Sequence, residues 1–382
     1  MYISKFVTPE IIFGKGSLNQ VGECCHRLGA SRLFLVADSG VMKCGWVEKC
    51  LPFIEELSLE YYIWSNFSAN PKDFEIDEGT ALYLENQCDA VLAIGGGSAI
   101  DAAKAVAILA TNGGRIQDYE GIDLIQKPLP PLIVVPSTAG SGSEVSQFSI
   151  IADSKRKLKM TIISKSLVPD IAITDPLILS TVDSRVTATT GMEALSHAIE
   201  AYLSLAATDL TDVHALHSIK LISKHLRASV ASQVNEEAKV AMAKASLQAG
   251  IALSNAVLGL THAMTHQVGG VLDLPIGEIS AVLLPYVMRF NMIASLEKFA
   301  NIANAMGVDT GRMMPRDAAK KAIQMVQELA RDVGIPQGLS ALGLPREIIP
   351  ELSKNAMKDA CFITNPRDVD VEGIMEIFYQ AL

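Results

Sequence analysis

The sequence predicts two domains, an α/β domain over residues 1–180 and an all-α domain over residues 181–382. Three observations carry this. Short apolar runs alternate with helical patterns up to about residue 180, the texture of a parallel sheet wrapped in helices. Two of those runs lead straight into loops rich in glycine and small hydroxyls. From Asp183 onward, apolar residues recur at helical spacing almost without a break.

The elements follow in order. Residues 3–13 read as an opening strand, and Gly14–Ser17 as a turn whose Ser17 caps a helix to about Leu28. Arg32–Ala37 is a buried strand ending in Asp38. A helix near Val47–Leu57, a strand over Glu60–Trp64, a loop at Asn70-Pro71 and a helix over 73–86 come next. Ala90–Ile94 is a strand that runs into Gly95-Gly96-Gly97-Ser98-Ala99-Ile100-Asp101, with a helix over Ala102–Ala110. Pro131–Val135 is a strand ending in the loop Pro136–Glu144. Phe148–Ile151 and Lys159–Ile163 form a hairpin around Asp153–Arg156, and Ile171–Thr174 closes the domain at Asp175-Pro176. Helical patterns then cover 185–204, 210–230, 235–258, 259–268, 278–291, 294–306, 315–333, 346–357 and 371–381.

Composition excludes several classes. A chain of 382 residues, 49% hydrophobic and 19% charged, buries ample core. Its net charge of −10 argues against a nucleic-acid partner, which calls for a basic stripe. Six cysteines show no Cys-x-x-Cys pattern and no metal-ligand spacing, as in a reduced cytoplasmic protein. The N-terminus lacks a basic stretch followed by an apolar run, so no signal peptide is expected. No run reaches the ~20 uninterrupted apolar residues of a membrane span. Ala241–Leu260 is interrupted by Lys244, Ser246, Gln248, Ser254 and Asn255 and reads as a buried helix.

Chemistry concentrates in two places. Strand, glycine loop and helix start at Gly95–Asp101 is a phosphate-cradling arrangement, because glycines admit the ligand to the backbone and the helix N-terminus supplies N–H donors. The Pro136–Glu144 loop repeats it after a second strand, which points to a nucleotide crevice. Asp38 has two readings that stand equally: an acceptor for a ribose diol, or the N-cap of the segment behind it. The second place is Gly191–Glu200. Glu193 and His197 are four apart and share a helix face, and His262 and His266 repeat that spacing. Such pairs hold a metal or share a proton.

These motifs resemble the iron-containing (group III) alcohol dehydrogenase family along essentially the whole chain. The resemblance rests on Gly95-Gly96-Gly97-Ser98 with Asp101 and Lys104, the Pro136–Glu144 loop, and Asp175-Pro176. It rests equally on Gly191-Met192-x-Ala194-Leu195-x-His197-Ala198-x-Glu200, Gly259-Leu260-x-His262-Ala263-Met264-x-His266 and Asn365-Pro366-Arg367. It implies a Rossmann-like N-terminal domain, an all-α C-terminal domain, a dehydroquinate synthase-like layout, NAD in the cleft and a divalent metal, iron or zinc, beside it. By the same resemblance Asp38 faces the adenosine ribose and favours NAD over NADP. Asn70, Gly96, Gly97, Ser98, Asp101, Thr138, Ser141, Lys159 and Leu179 serve the cofactor, and His266 lies near the nicotinamide and substrate. Substrates would be small alcohols or aldehydes, and the protein a homodimer or larger homo-oligomer.

Two positions depart from the family. Its metal set is an aspartate and a histidine on one helix, a histidine on the next, and a histidine in a Pro-His-Gly turn. Here the aspartate position is Glu193, and the turn reads Pro275-Ile276-Gly277. His197 and His262 match. Three readings follow: Glu193, His197 and His262 hold a metal; the metal is lost and His262 or His266 moves the proton; or the chain is a nucleotide-binding regulatory relative with impaired catalysis.

Overall fold

The computed structural model describes residues 5–382, and the chain divides into two compact units. An α/β unit comprises Val7–Thr138 and Ser143–Val182. A helical unit is built on Asp183–Leu382 and takes in Ala139–Gly142.

The α/β unit runs β1 (Glu10–Phe13), α1 (Val21–Arg27), β2 (Arg32–Ala37), α2 (Ser39–Lys43), α3 (Trp46–Glu55), β3 (Glu60–Trp64), α4 (Asp73–Glu85), β4 (Ala90–Gly95) and α5 (Gly97–Asn112). It continues with β5 (Gly121–Ile122), β6 (Leu132–Pro136), β7 (Phe148–Asp153), β8 (Leu158–Ile163) and β9 (Ile171–Thr174). Six strands form one sheet in the order β1-β9-β6-β4-β2-β3, parallel throughout. Helices cover both faces, so β4 and β6 are buried at every position, which is why they read as continuous apolar runs. The chain passes from β2 to β3 on one side and returns to β4 on the other. That reversal is a switch point, where a doubly wound sheet opens a crevice at its carboxyl edge. Register places Ala37 opposite Ile94 and Gly95 opposite Pro136, so Asp38, Gly96 and Ser137 emerge along that edge. The hairpin of β7 and β8 is antiparallel, and β5 joins β8 to complete a second small sheet.

Three expectations change. Within the described residues the opening strand is only β1, and the part of 3–13 before residue 5 lies outside them. Ser17 is not an N-cap: Gly16, in the left-handed region, precedes a 3₁₀ turn over Ser17–Gln20, and the buried Ser17 hydroxyl has no partner among the described residues. The short helix α2 follows Asp38 directly, in keeping with the capping reading of that residue. Finally, α5 starts at Gly97 rather than Ala102, so most of the glycine loop is the first turn of the helix.

The helical unit runs α6 (Ser184–Leu203), α7 (Asp209–Ala231), α8 (Glu236–Ala256), α9 (Leu260–Leu272), α10 (Ile276–Asn291), α11 (Leu296–Ala305), α12 (Pro315–Asp332), α13 (Ile349–Ala356) and α14 (Val371–Ala381). α6 is its axis. It packs on α7, α8 and α10 and is buried at nearly every position from Gly191 to Leu203. Gly191 is required there, because a Cβ would sit 2.2 Å from Leu226 Cδ1 of α7. The stretch Ile276–Ala294 is long and apolar enough to cross a membrane, yet 72% of it is buried, as in a core helix.

Candidate active site

At the carboxyl edge of the sheet, Asp38 takes the capping role. Its Oδ1 accepts from the Gly40 and Val41 N–H groups, both at 2.9 Å, and so caps α2. Its Oδ2 accepts from the Gly96 N–H at 2.9 Å, which ties the end of β2 to the glycine loop. Gly95 is small for that reason: a Cβ would lie 2.5 Å from both Asp38 Oδ2 and Ala99 Cβ. Gly96 is the N-cap of α5 and provides no side-chain cap, so Gly97 and Ser98 open the helix with N–H donors directed out of its end. Ser98 Oγ donates to the Ala69 carbonyl, Lys159 Nζ donates to Asn70 Oδ1 at 2.6 Å, and Thr138 lies beside Gly96. Leu179 is buried in the 3₁₀ turn Ile178–Thr181. These residues belong to the α/β unit, and Ser141 belongs to the segment counted with the helical one.

Asp101 faces inward from α5. Its Oδ2 accepts from the Ile150 N–H of β7 at 3.3 Å. Lys104, one turn on, is fully buried and donates to the carbonyls of Ser143, Ser146 and Phe148 at 2.7, 2.7 and 2.9 Å, which anchors the chain after the second loop. Burial pushes Asp101 up to about 6 and Glu144 up to about 7, and it draws Lys104 down to about 8.

The histidines of the helical unit are more tightly organised. Glu193, His197 and Glu200 stand at relative positions 0, 4 and 7 on α6 and share a face. His197 is buried, and its Nδ1 donates to the Gly140 carbonyl at 3.2 Å. Burial, and then the neighbouring His262, hold its pKa well below the usual histidine value, so the ring is neutral. The His197 and His262 rings stack at 4.7 Å between centroids.

His262 in turn rests on Glu200, a residue the sequence reading did not assign to the site. His262 Nδ1 donates to Glu200 Oε2 at 2.6 Å. The same carboxylate accepts the N–H groups of Gly259, Thr261 and His262 at 3.2, 2.6 and 3.3 Å, at the N-terminus of α9. Burial acts to raise the Glu200 pKa, but the bonds from His262 and Thr261 outweigh it and hold the group below the ordinary glutamate value. An ionised Glu200 places the His262 proton on Nδ1 and presents Nε2 as a lone pair. That Nε2 is buried and has no hydrogen-bond partner among the described residues.

His266, one turn along α9, donates from Nδ1 to Asp359 Oδ2 at 2.8 Å, and its ring meets His262 edge-on at 6.2 Å. The Glu193 carboxylate lies against the first turn of α10, where a Cβ on Gly277 would fall 3.0 Å from its Oε2. Ile276 begins α10 beside it and offers no donor atom. A neutral His197, the orphaned Nε2 of His262 and, one turn before His197 on α6, the carboxylate of Glu193 are donor types that suit a first-row divalent metal; among the described residues it is His266, Asp359 and Cys361, not these three, whose ligand atoms lie within 4.8 Å of one another.

Family models match both units: iron-containing alcohol dehydrogenase over residues 8–176, and the C-terminal part of the Fe-containing alcohol dehydrogenase family over residues 187–382. The chain is 41% identical to a 1,3-propanediol dehydrogenase of Klebsiella pneumoniae, over 98% of each chain. It is 39% identical to an NAD-dependent methanol dehydrogenase of Bacillus methanolicus, over 99% of each. Among solved structures, a 1,3-propanediol oxidoreductase superposes with a TM-score of 0.96 at 41% identity, over the whole of both chains. An α/β unit with an anion-ready helix start and a helical unit with a buried histidine cluster are thus the two halves of an alcohol/aldehyde oxidoreductase. The chain belongs to the iron-containing alcohol dehydrogenase family.

Proposed function

We propose that this chain is an NAD-dependent alcohol dehydrogenase and aldehyde reductase for small substrates, working in the cytoplasm as a homodimer or larger homo-oligomer. The observation that carries the reading is His262: its Nδ1 is occupied by a buried carboxylate and its buried Nε2 has no partner among the described residues, a ligand nitrogen set in advance.

Glu193, His197 and His262 would hold the metal, which when bound supplies Lewis-acid polarisation of the substrate oxygen. NAD, when bound, supplies the hydride chemistry. The chain's own contribution is orientation and proton handling. The open N-terminus of α5 at Gly96, Gly97 and Ser98 receives the pyrophosphate. Asp38 keeps its capping bonds, and its Oδ2, which takes only the Gly96 N–H, has a lone pair left for one ribose hydroxyl; its charge repels a 2′-phosphate, which favours NAD over NADP. Asn70, Thr138, Ser141, Lys159 and Leu179 complete the cofactor's surroundings, and Asp101 with Lys104 braces the loops from behind. Asp359 keeps the His266 proton on Nδ1, so that Nε2 takes the proton released by the alcohol and returns it in the reverse direction. His262, holding its proton toward Glu200, serves as ligand rather than acid. Ile276 gives the substrate an apolar wall.

The test is metal analysis of protein purified without chelator, before and after iron(II) or zinc(II), followed by turnover with NAD over a panel of small alcohols and aldehydes. Metal uptake with turnover is the expected result. NADH binding with no turnover under either metal would overturn the proposal, and Ile276 in the place of a ligand would then mark a nucleotide-binding regulatory protein.

A further inference from the structure

The reaction uses His266 and Asp359 but leaves their neighbour Cys361 without a role. One potential ligand atom from each of the three lies within 4.8 Å of the other two. The side chains of His266 and Asp359 are 3% and 4% exposed, and Cys361 is fully buried. Local folding accounts for part of the arrangement. Asp359 begins the 3₁₀ turn Ala360–Thr364, and its Oδ1 accepts the Cys361 N–H at 2.9 Å. That leaves Oδ2 to His266 and turns the thiol toward the same carboxylate.

Local folding does not account for the third group. Asp359 is ion-paired with His266, and Cys361 shares their buried surroundings. A second carboxylate, Glu200, acts on Cys361 as well. Burial first, and then Asp359 and Glu200, raise the thiol pKa well above its usual value. A carboxylate, an imidazole and a thiol gathered within 4.8 Å, with their side chains out of water, are arranged for a metal of intermediate softness.

We propose that His266, Asp359 and Cys361 form a second divalent-metal site, selective for zinc over iron, whose occupancy switches the enzyme off. Zinc binding releases the thiol proton to solvent and moves the His266 proton from Nδ1 to Nε2. The ion is then held by a thiolate, a carboxylate and a neutral imidazole. Two positive charges meet two negative ones, so the buried site is neutral overall and its desolvation is tolerable. The geometry is close: ligands of a tetrahedral zinc stand about 3.3 Å apart, given bonds of about 2.0–2.1 Å. The His266–Asp359 pair at 2.8 Å needs to open only slightly. Thiolate ligation and the usual affinity order both favour zinc over iron(II). The switch follows from the tautomer, because an Nε2 that carries a proton cannot take one from an alcohol. This last step rests on the role proposed for His266; the site itself does not.

Cobalt(II) is the probe, used on the full chain. Cys44 is the exposed cysteine and is replaced by Ser throughout to remove stray thiolate binding. The expected result is a thiolate-to-cobalt charge-transfer band that saturates at one equivalent. The Glu193, His197 and His262 set contains no sulfur and cannot produce it. The band should be lost in Cys361→Ser and in Cys361→Ala, and Asp359→Asn should weaken binding at least about tenfold. No band in the Cys44→Ser protein, or a band that survives Cys361→Ser, overturns the site. In a second arm, zinc is added to iron-loaded enzyme. Activity should fall at least tenfold with Cys361 present and hold when it is Ser, and equal inhibition of both overturns the switch. Because the cobalt spectrum needs no turnover, an inactive protein would sink the proposed function without touching this site.

Discussion

Replacing Glu200 by Gln changes one atom and should disable the metal site. The Glu200 carboxylate accepts four N–H groups, three from the backbone at the start of α9 and one from His262 Nδ1. A glutamine has one acceptor oxygen and an NH₂ that can only donate. If the NH₂ takes the place of Oε1, the Thr261 N–H loses its acceptor, at a cost of about 1–3 kcal/mol. If it takes the place of Oε2, the Gly259 and His262 N–H groups lose theirs instead, and the imidazole must accept at Nδ1 and carry its proton on Nε2, which blocks the metal-facing lone pair. Each orientation also removes the charge that faces the N-terminus of α9. We expect Glu200→Gln to lose about 2–4 kcal/mol of stability and to bind iron or zinc about 10–100-fold more weakly. Urea denaturation checks the first figure, and equilibrium metal competition with a chromophoric chelator checks the second. Wild-type metal affinity in a folded Glu200→Gln protein would refute the idea that this carboxylate sets the His262 tautomer.

Three further outcomes are expected. Ile276→His restores a nitrogen donor beside Glu193 at the first turn of α10 and should raise metal content in elemental analysis; no gain would mean that the α10 turn does not face the donor set. Gly95→Ala forces a Cβ to within 2.5 Å of Asp38 Oδ2, and should weaken NADH binding at least about tenfold while leaving metal uptake intact. Unchanged NADH titrations would show that the glycine loop is not the cofactor cradle. Glu144, buried and raised from 4.5 to about 7, holds its proton in the folded state over a range where the unfolded chain has lost it. Its contribution therefore declines as pH rises from 4.5 through 7 and is full below 4.5. Glu144→Gln should match wild type near pH 4 and exceed it by up to about 3 kcal/mol at pH 8, one pKa unit being about 1.4 kcal/mol. Parallel stability–pH curves for the two proteins would contradict this.

Much of the molecule is legible in the sequence because it is local. The buried strands of the α/β unit stand out as apolar runs, since parallel strands covered on both faces leave no polar alternation. The helices of the second unit appear within a few residues of their bounds, because one buried face imposes a 3.6-residue period. Errors fall where local signals compete. Ser17 looks like a cap, but the left-handed Gly16 starts a 3₁₀ turn instead. The glycines of Gly95–Gly97 look like loop, yet Gly97 is already helical because Gly96, in extended backbone, acts as the N-cap. Glu200 lies seven residues beyond Glu193, so helical arithmetic alone places it on the site's face, although spacing does not say that it binds an imidazole.

The sequence by itself determined the two-part architecture, and it singled out the loops at the carboxyl edge of the sheet and the candidate donors Glu193, His197, His262 and His266. Periodicity and loop chemistry are written within ten or twenty residues of chain, and the 3.6-residue turn converts spacing into shared faces. Tertiary structure alone decided which partners those side chains meet. Asp359 and Cys361 reach His266 from about ninety residues away, Gly140 receives the His197 proton from across 57 residues, and Glu200 meets His262 across 62. A histidine's tautomer depends on which buried acceptor its other nitrogen finds, and that partner is chosen by helix packing rather than by any spacing along the chain.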